Sequence, residues 1–175
     1  MADPAIRATA HQDFGLVSLA ARRDAAPALT ARTRQVLGMT LPAPGKWTAA
    51  GDLIAICTAP DQWLVVQAGD DGGLLARLAA AVGECGLLID VSGSRVAFRV
   101  AGAGAREVLA KCVPIDPHPR AMRVGDAAAT VAAHVPVLIR QVDDAPTYEL
   151  ICVRSFAGSL QRRLADAGAP VSPDC

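Results

Sequence analysis

Residues 53–58 and 62–67 are apolar, strand-like runs on either side of Ala59-Pro60-Asp61, which reads as a hairpin turn. Behind them Leu74, Leu75, Leu78 and Val82 fall on one face of a helix, and Asp70-Asp71-Gly72-Gly73 in front offers acidic N-caps. The same order returns later. Residues 127–142 form one long strand with a bend at Pro136, since proline cannot donate to a ladder. Asp143-Asp144-Ala145-Pro146 turns the chain and residues 148–153 run back. Phe156, Leu160 and Leu164 then repeat at i, i+4 and i+8 behind Ser155, a natural N-cap. Strand, acidic-proline turn, strand, helix occurs twice, which predicts an internal duplication.

The remaining elements fit around these blocks. Phe14-Gly15-Leu16-Val17-Ser18-Leu19 reads as a weak strand. Residues 26–37 read as a helix, with Pro27 in its first turn, Leu29, Thr33, Val36 and Leu37 as its apolar stripe, and Gly38 as its stop. Leu87-Leu88-Ile89-Asp90-Val91 is an apolar run that predicts a central strand. Val96, Phe98 and Val100 alternate with Arg95, Ala97 and Arg99, as in a half-buried strand. Ala105, Val108, Leu109 and Cys112 share a helical face, and a loop rich in proline fills 113–125.

Each half thus reads β-α-β-β-α, and the strand at 87–91 closes the first. The expected fold class is α+β. It consists of duplicated ferredoxin-like (split βαβ) units with mainly antiparallel sheet. Residues 1–13 are expected as a flexible N-terminal tail, 14–92 as the first half, 93–170 as the second half packed with the first as one compact unit, and 171–175 as a tail.

Composition removes several function classes. Formal net charge is zero. No electrostatic case therefore exists for nucleic acid or an anionic membrane. Aromatics are only 3%, so the core must be built from Val, Leu, Ile and Ala. No window approaches the roughly 20 apolar residues of a membrane helix, and no signal peptide is read at the N-terminus. A cytoplasmic location is expected. Cys57, Cys85, Cys112, Cys152 and Cys175 are odd in number and widely spaced, with no Cys-x-x-Cys, which predicts reduced, mostly buried thiols.

Candidate chemistry is sparse. Gly102-x-Gly104 sits between a strand and a helix, but Glu107 occupies the third glycine position of a dinucleotide fingerprint, where an acid would face the pyrophosphate. A tight turn accounts for the pair. His118, Asp116 and Cys112 have irregular spacing for a metal site and lie on a bent Asp-Pro-His-Pro loop. His134 is a lone strand histidine, and His11 is in the tail. Ser92 and Ser94 flank Gly93 without a nucleophile elbow. Trp63 packs in a core or anchors an interface. No catalytic, cofactor-binding or metal-binding residue is assigned.

Three segments carry a resemblance. Pro60-Asp61-Gln62-Trp63-Leu64-Val65-Val66, then Asp90-Val91-Ser92-Gly93-Ser94-Arg95, then Arg154-Ser155-Phe156-Ala157-Gly158-Ser159-Leu160, in that order, resemble the gamma subunit of heterotetrameric sarcosine oxidase. The match runs over most of residues 36–168. Gln161 stands where that family leads one to expect Trp, and Pro117 where Leu is more usual. More distantly, the layout is similar to the folate-binding domain of the aminomethyltransferases of glycine cleavage.

The resemblance implies an enzyme complex that oxidatively demethylates sarcosine to glycine, forms hydrogen peroxide, and passes the one-carbon unit to tetrahydrofolate or releases it as formaldehyde. It implies alpha, beta and delta subunits as partners. FAD, FMN, NAD, tetrahydrofolate and zinc belong on those partners, and this chain has an assembly role without an active site of its own. Two other classes remain open: a stand-alone folate-binding or one-carbon transfer protein, for which Asp116 is the tempting pterin carboxylate, and a ferredoxin-like ligand-sensing regulatory domain.

Overall fold

The computed structural model describes residues 6–69 and 72–173. Asp70, Asp71 and Cys175, named above, lie outside the described residues. The chain divides into two units, residues 13–93 and described residues 94–173 together with 6–12. The first strand, β1 (Arg7–His11), belongs to the second of these.

The first unit runs β2 (Phe14–Ala21), α1 (Ala26–Leu37), β3 (Trp47–Ala50), β4 (Leu53–Ala59), β5 (Gln62–Ala68), α2 (Leu74–Val82) and β6 (Gly86–Asp90). Its sheet has the order β3-β4-β5-β2-β6, with every neighbour antiparallel. Strands β4, β5, β2 and β6 follow the split-βαβ order, and β3 extends one edge. Val17 and Leu19 from β2, Leu53 and Ala55 from β4, and Val65 from β5 meet Leu29 of α1 and Leu78 of α2 in one apolar core. Helix α1 stops at Gly38, where φ is 66°. Gly38 N–H reaches Arg34 O and Met39 N–H reaches Thr33 O, which satisfies the last carbonyls. Gly86 marks a close approach, since a Cβ there would lie 2.7 Å from Val82 Cγ1 and 3.1 Å from Ala20 O.

The second unit adds β7 (Arg95–Ala101), α3 (Ala105–Cys112), β8 (Ala127–Ala132), β9 (Val135–Asp143), β10 (Thr147–Val153), α4 (Ala157–Asp166) and β11 (Val171–Pro173). Its sheet order is β11-β1-β7-β10-β9-β8. Val96, Phe98 and Val100 of β7 face Leu109 of α3 and Leu160 and Leu164 of α4, as their alternation and helical spacing require. Strand for strand, β7, β10, β9 and β8 repeat β2, β5, β4 and β3. The repeat differs at one edge. Where β6 lies against β2, the N-terminal strand β1 lies antiparallel against β7, and β11 sits outside it, parallel to β1.

Several expectations are corrected. Residues 7–11 are a strand rather than a tail. Ala8 is buried between β7 and β11, an alternation of small residues whose apolar signal is weak. Residues 171–173 likewise pair with β1 instead of trailing away. The expected single strand over 127–142 is a hairpin. Ala133 and His134 both take positive φ, 47° and 74°, between the paired residues Ala132 and Val135. His134 is therefore an exposed turn residue, and the chain bends ahead of Pro136 instead of at it. Ser155 lies in a 3-10 turn, Arg154–Phe156, and makes no side-chain cap, while Phe156 is exposed. The run at 87–91 is an edge strand rather than a central one.

Candidate functional site

The Pro60-Asp61 turn joins β4 to β5 with Asp61 at φ 59°, a left-handed conformation that a short polar side chain tolerates. Ala21 N–H donates to Asp61 O at 2.9 Å, which ties the turn to the end of β2. Trp63 is buried and its indole N–H donates to Pro42 O at 2.8 Å, fixing the loop before β3. Between that loop, the start of α1 and the turn lies an open groove of about 490 Å³, lined by Pro27, Thr30, Pro42, Cys57, Asp61 and Trp63 among others. Its walls are mostly apolar, with Thr30 and Asp61 as the polar side chains among those named. The Cys57 thiol is directed at Ala59 O at 3.2 Å, and burial pushes its pKa up, so it is held as a thiol rather than as a nucleophile.

The second motif builds a junction. Ser92 Oγ accepts the Leu16 amide at 2.8 Å and lies 2.7 Å from Asp90 Oδ1, which also takes Ser92 N–H at 2.9 Å. That backbone donor, followed by the hydroxyl, holds the Asp90 carboxyl below its usual range. The three residues close the end of β6 onto β2; they form a turn, with the serine's hydrogen bonds used internally.

The proline-rich loop is anchored from beneath. Tyr148 on β10 is fully buried; its hydroxyl donates to Pro117 O at 2.8 Å and accepts from Arg106 Nε at 3.1 Å. Burial raises its pKa, and Arg106 acts in the opposite sense. Pro117 is buried by this contact, while Asp116 and His118 stay exposed. Asp116 Oδ1 accepts His118 N–H at 2.9 Å, and His118 Nδ1 accepts Arg120 N–H at 3.2 Å. Both side chains therefore shape the turn. Asp116 does not sit in the apolar setting a pterin-binding carboxylate needs. Among the described residues no group of three or more His, Cys, Asp or Glu is placed to hold a metal.

Gly102 takes φ 111°, and Ala105 N–H reaches back to Gly102 O at 2.9 Å, so the Gly102-x-Gly104 pair makes a tight strand-to-helix turn. Glu107 lies in the first turn of α3, exposed, where the helix dipole favours an acid. On β9 and β10, Arg140 and Glu149 face each other with Nε and Oε2 2.7 Å apart, both largely buried. Sequence reasoning did not single out this pair, although two opposite charges at equivalent places in adjacent strands were there to be read.

Sequence reasoning also missed the exposed apolar side chains. Ile89 is 63% exposed and Leu87 50% exposed on β6, and Phe156 is 43% exposed at the start of α4. An apolar run of five is compatible with an edge as well as a centre, and only pairing distinguishes them.

Residues 21–170 match the family model described as sarcosine oxidase, gamma subunit family. The curated sarcosine oxidase subunit gamma of an Arthrobacter species is 38% identical over 103 residues, 58% of this chain and 50% of that protein. That of Corynebacterium sp. strain U-96 is 36% identical over 134 residues, 74% of this chain and 64% of that protein. The chain thus spans about half to just under two thirds of the length of these relatives. Among solved structures, a chain of heterotetrameric sarcosine oxidase from Corynebacterium sp. U-96, in complex with pyrrole 2-carboxylate, aligns with a TM-score of 0.81 at 28% identity, covering 95% of this chain and 85% of that one. Aminomethyltransferase T of the glycine cleavage system of Bartonella henselae aligns with a TM-score of 0.69 over 97% of this chain and 47% of that one; at 14% identity this shows a shared fold.

Proposed function

Because the chain belongs to the sarcosine oxidase gamma subunit family, we propose that it is the non-catalytic assembly subunit of a heterotetrameric sarcosine oxidase. The observation that carries this is the alignment of 95% of the chain, at a TM-score of 0.81, with a chain of such an enzyme. The complex oxidises sarcosine to glycine, reduces oxygen to hydrogen peroxide and delivers the one-carbon unit to tetrahydrofolate. Its other subunits are alpha, beta and delta, and it works in the cytoplasm.

FAD, FMN, NAD, tetrahydrofolate and zinc are assigned to those partners. The residues of this chain support that assignment. Glu107 stands where a pyrophosphate would need a glycine, Asp116 and His118 are engaged in their own loop, and the Cys57, Cys112 and Cys152 thiols are held protonated by burial. No catalytic residue is placed on this chain.

The test is co-expression of the tagged chain with the three other subunits from the same genome. A yellow complex of four different chains that makes peroxide from sarcosine is the expected result. A colourless chain that purifies alone, and that tetrahydrofolate stabilises against heat, would replace this reading with the folate-binding one.

A further inference from the structure

The open edge of β6 stands out physically. Natural sheets guard edge strands by shortness, charged side chains (lysine above all), proline, a bulge or a covering element. Strand β6 is five residues long and ends in Asp90, but it has no Lys or Pro, and its register with β2 runs without a shift from Ala21–Gly86 to Val17–Asp90. Val91 N–H donates to Leu16 O at 2.8 Å, which sets the phase of the ladder. Leu87 and Ile89 therefore turn their N–H and C=O groups toward β2, while Leu88 and Asp90 turn theirs to the open side. Leu87 and Ile89 meanwhile expose half or more of their surface beside the half-buried Ser18 and Ala20.

The internal repeat indicates what fits there. In the second unit the position equivalent to β6 is held by β1, and a further strand, β11, lies outside it in parallel. Among the described residues the first unit has five strands and the second six, and the place without a strand is the one beyond β6. Charge adds a constraint. Asp90 closes the strand as an exposed carboxylate whose hydrogen-bond partners are Ser92 N–H and Ser92 Oγ, with no cation against it among the described residues.

We propose that the edge of β6 receives an extended segment of another subunit of the complex, running parallel to β6 as a sixth strand. It carries apolar side chains beside Leu87 and Ile89 and a lysine or arginine beside Asp90. This inference rests on the assembly reading above and says where on the chain the assembly is held. Main-chain hydrogen bonds to the Leu88 and Asp90 peptide groups supply the pairing, and the alternate apolar contacts supply the register.

Hydrogen exchange of the chain alone and in the co-expressed complex tests it. The Leu88 and Asp90 amides, open in the free chain, are expected to slow at least about tenfold in the complex. The double variant Leu87→Lys/Ile89→Lys is expected to melt with the wild-type chain, because both side chains are exposed, and to bind the other subunits roughly 30-fold or more weakly. A complex that forms with these two amides exchanging as in the free chain, or that tolerates the double variant, overturns the edge proposal and leaves the assembly reading intact. Failure of the wild-type chain to form any complex overturns both. Protection of the same amides in the isolated chain at the mass of a dimer overturns it in favour of a second copy.

Discussion

Ser92 and Leu16 lie 76 positions apart in sequence, yet the serine hydroxyl accepts the leucine amide at 2.8 Å. Leu16 is fully buried, so no water replaces that acceptor. Ser92→Ala is expected to leave a buried N–H unsatisfied and to lower stability by about 1–3 kcal/mol. Urea unfolding of the isolated chain checks it through the shift in midpoint at constant slope.

Tyr148→Phe keeps the ring in its core position and removes one oxygen that serves both Pro117 O and Arg106 Nε. A loss of about 1–2 kcal/mol is expected. The loop over 113–122 should also loosen, because its buried carbonyl at Pro117 loses its donor. Proteolysis of the native variant, cutting in that loop faster than in the parent, is the readout.

The turn between β8 and β9 uses Ala133 and His134 where both residues need positive φ. A side chain there costs about 1–2 kcal/mol per residue, least for Asn and absent for Gly. Replacing the pair by Asn-Gly is expected to raise the melting temperature by a few degrees, consistent with about 1 kcal/mol of stabilisation. Calorimetry of the double variant decides it, and an unchanged or lower melting temperature would contradict the turn geometry.

Burial pushes the Cys152 thiol up to about 11, from an ordinary value near 9.0, and pushes Cys57, Cys112 and Tyr148 in the same direction. A group whose pKa is raised on folding stabilises the folded state fully below its unfolded pKa. That contribution is lost as pH climbs to the folded value. For Cys152 the window runs from about 9 to about 11, with a slope of at most about 1.4 kcal/mol per pH unit. Stability measured from pH 7 to 11 should be flat in this group at first and then fall. Cys152→Ala should reduce the alkaline slope even though it also lowers the starting value.

How much of this was legible in the sequence depends on which interaction decides each element. The bounds of helix α1 could be read, because Pro27, the Leu29–Thr33 spacing and Gly38 are local signals, but Val36, read as part of the apolar stripe, is 54% exposed. The core face of β7 was legible too, since Val96, Phe98 and Val100 alternate with Arg95 and Arg99, although Ala97, read as outward, is also buried. The hairpin at 133–134 could not, because Ala-His carries none of the turn chemistry its geometry requires. The β1 strand was missed because Ala8 and Ala10 are too small to mark a buried face. The edge position of β6 depends on pairing, which no local pattern records. At the candidate sites, the turn role of Gly102 followed from residue type, while that of Asp116, which the sequence left open as a pterin carboxylate, came from its bond to His118 N–H. The Ser92–Leu16 and Tyr148–Pro117 links join distant segments and required the fold.

The place of β1 also sets an order of events during synthesis. Every residue of the first unit lies between 13 and 93, so that unit is complete in a continuous stretch of nascent chain. The strand that leaves the ribosome before it can find no ladder until β7 emerges, and β7 begins at Arg95. Strand β1 precedes the first unit in the chain and its ladder partner β7 follows it, so β1 is fixed only after the whole first unit has been made. A ribosomal stall before Arg95 would leave a folded first unit with β1 unpaired and open to other strands.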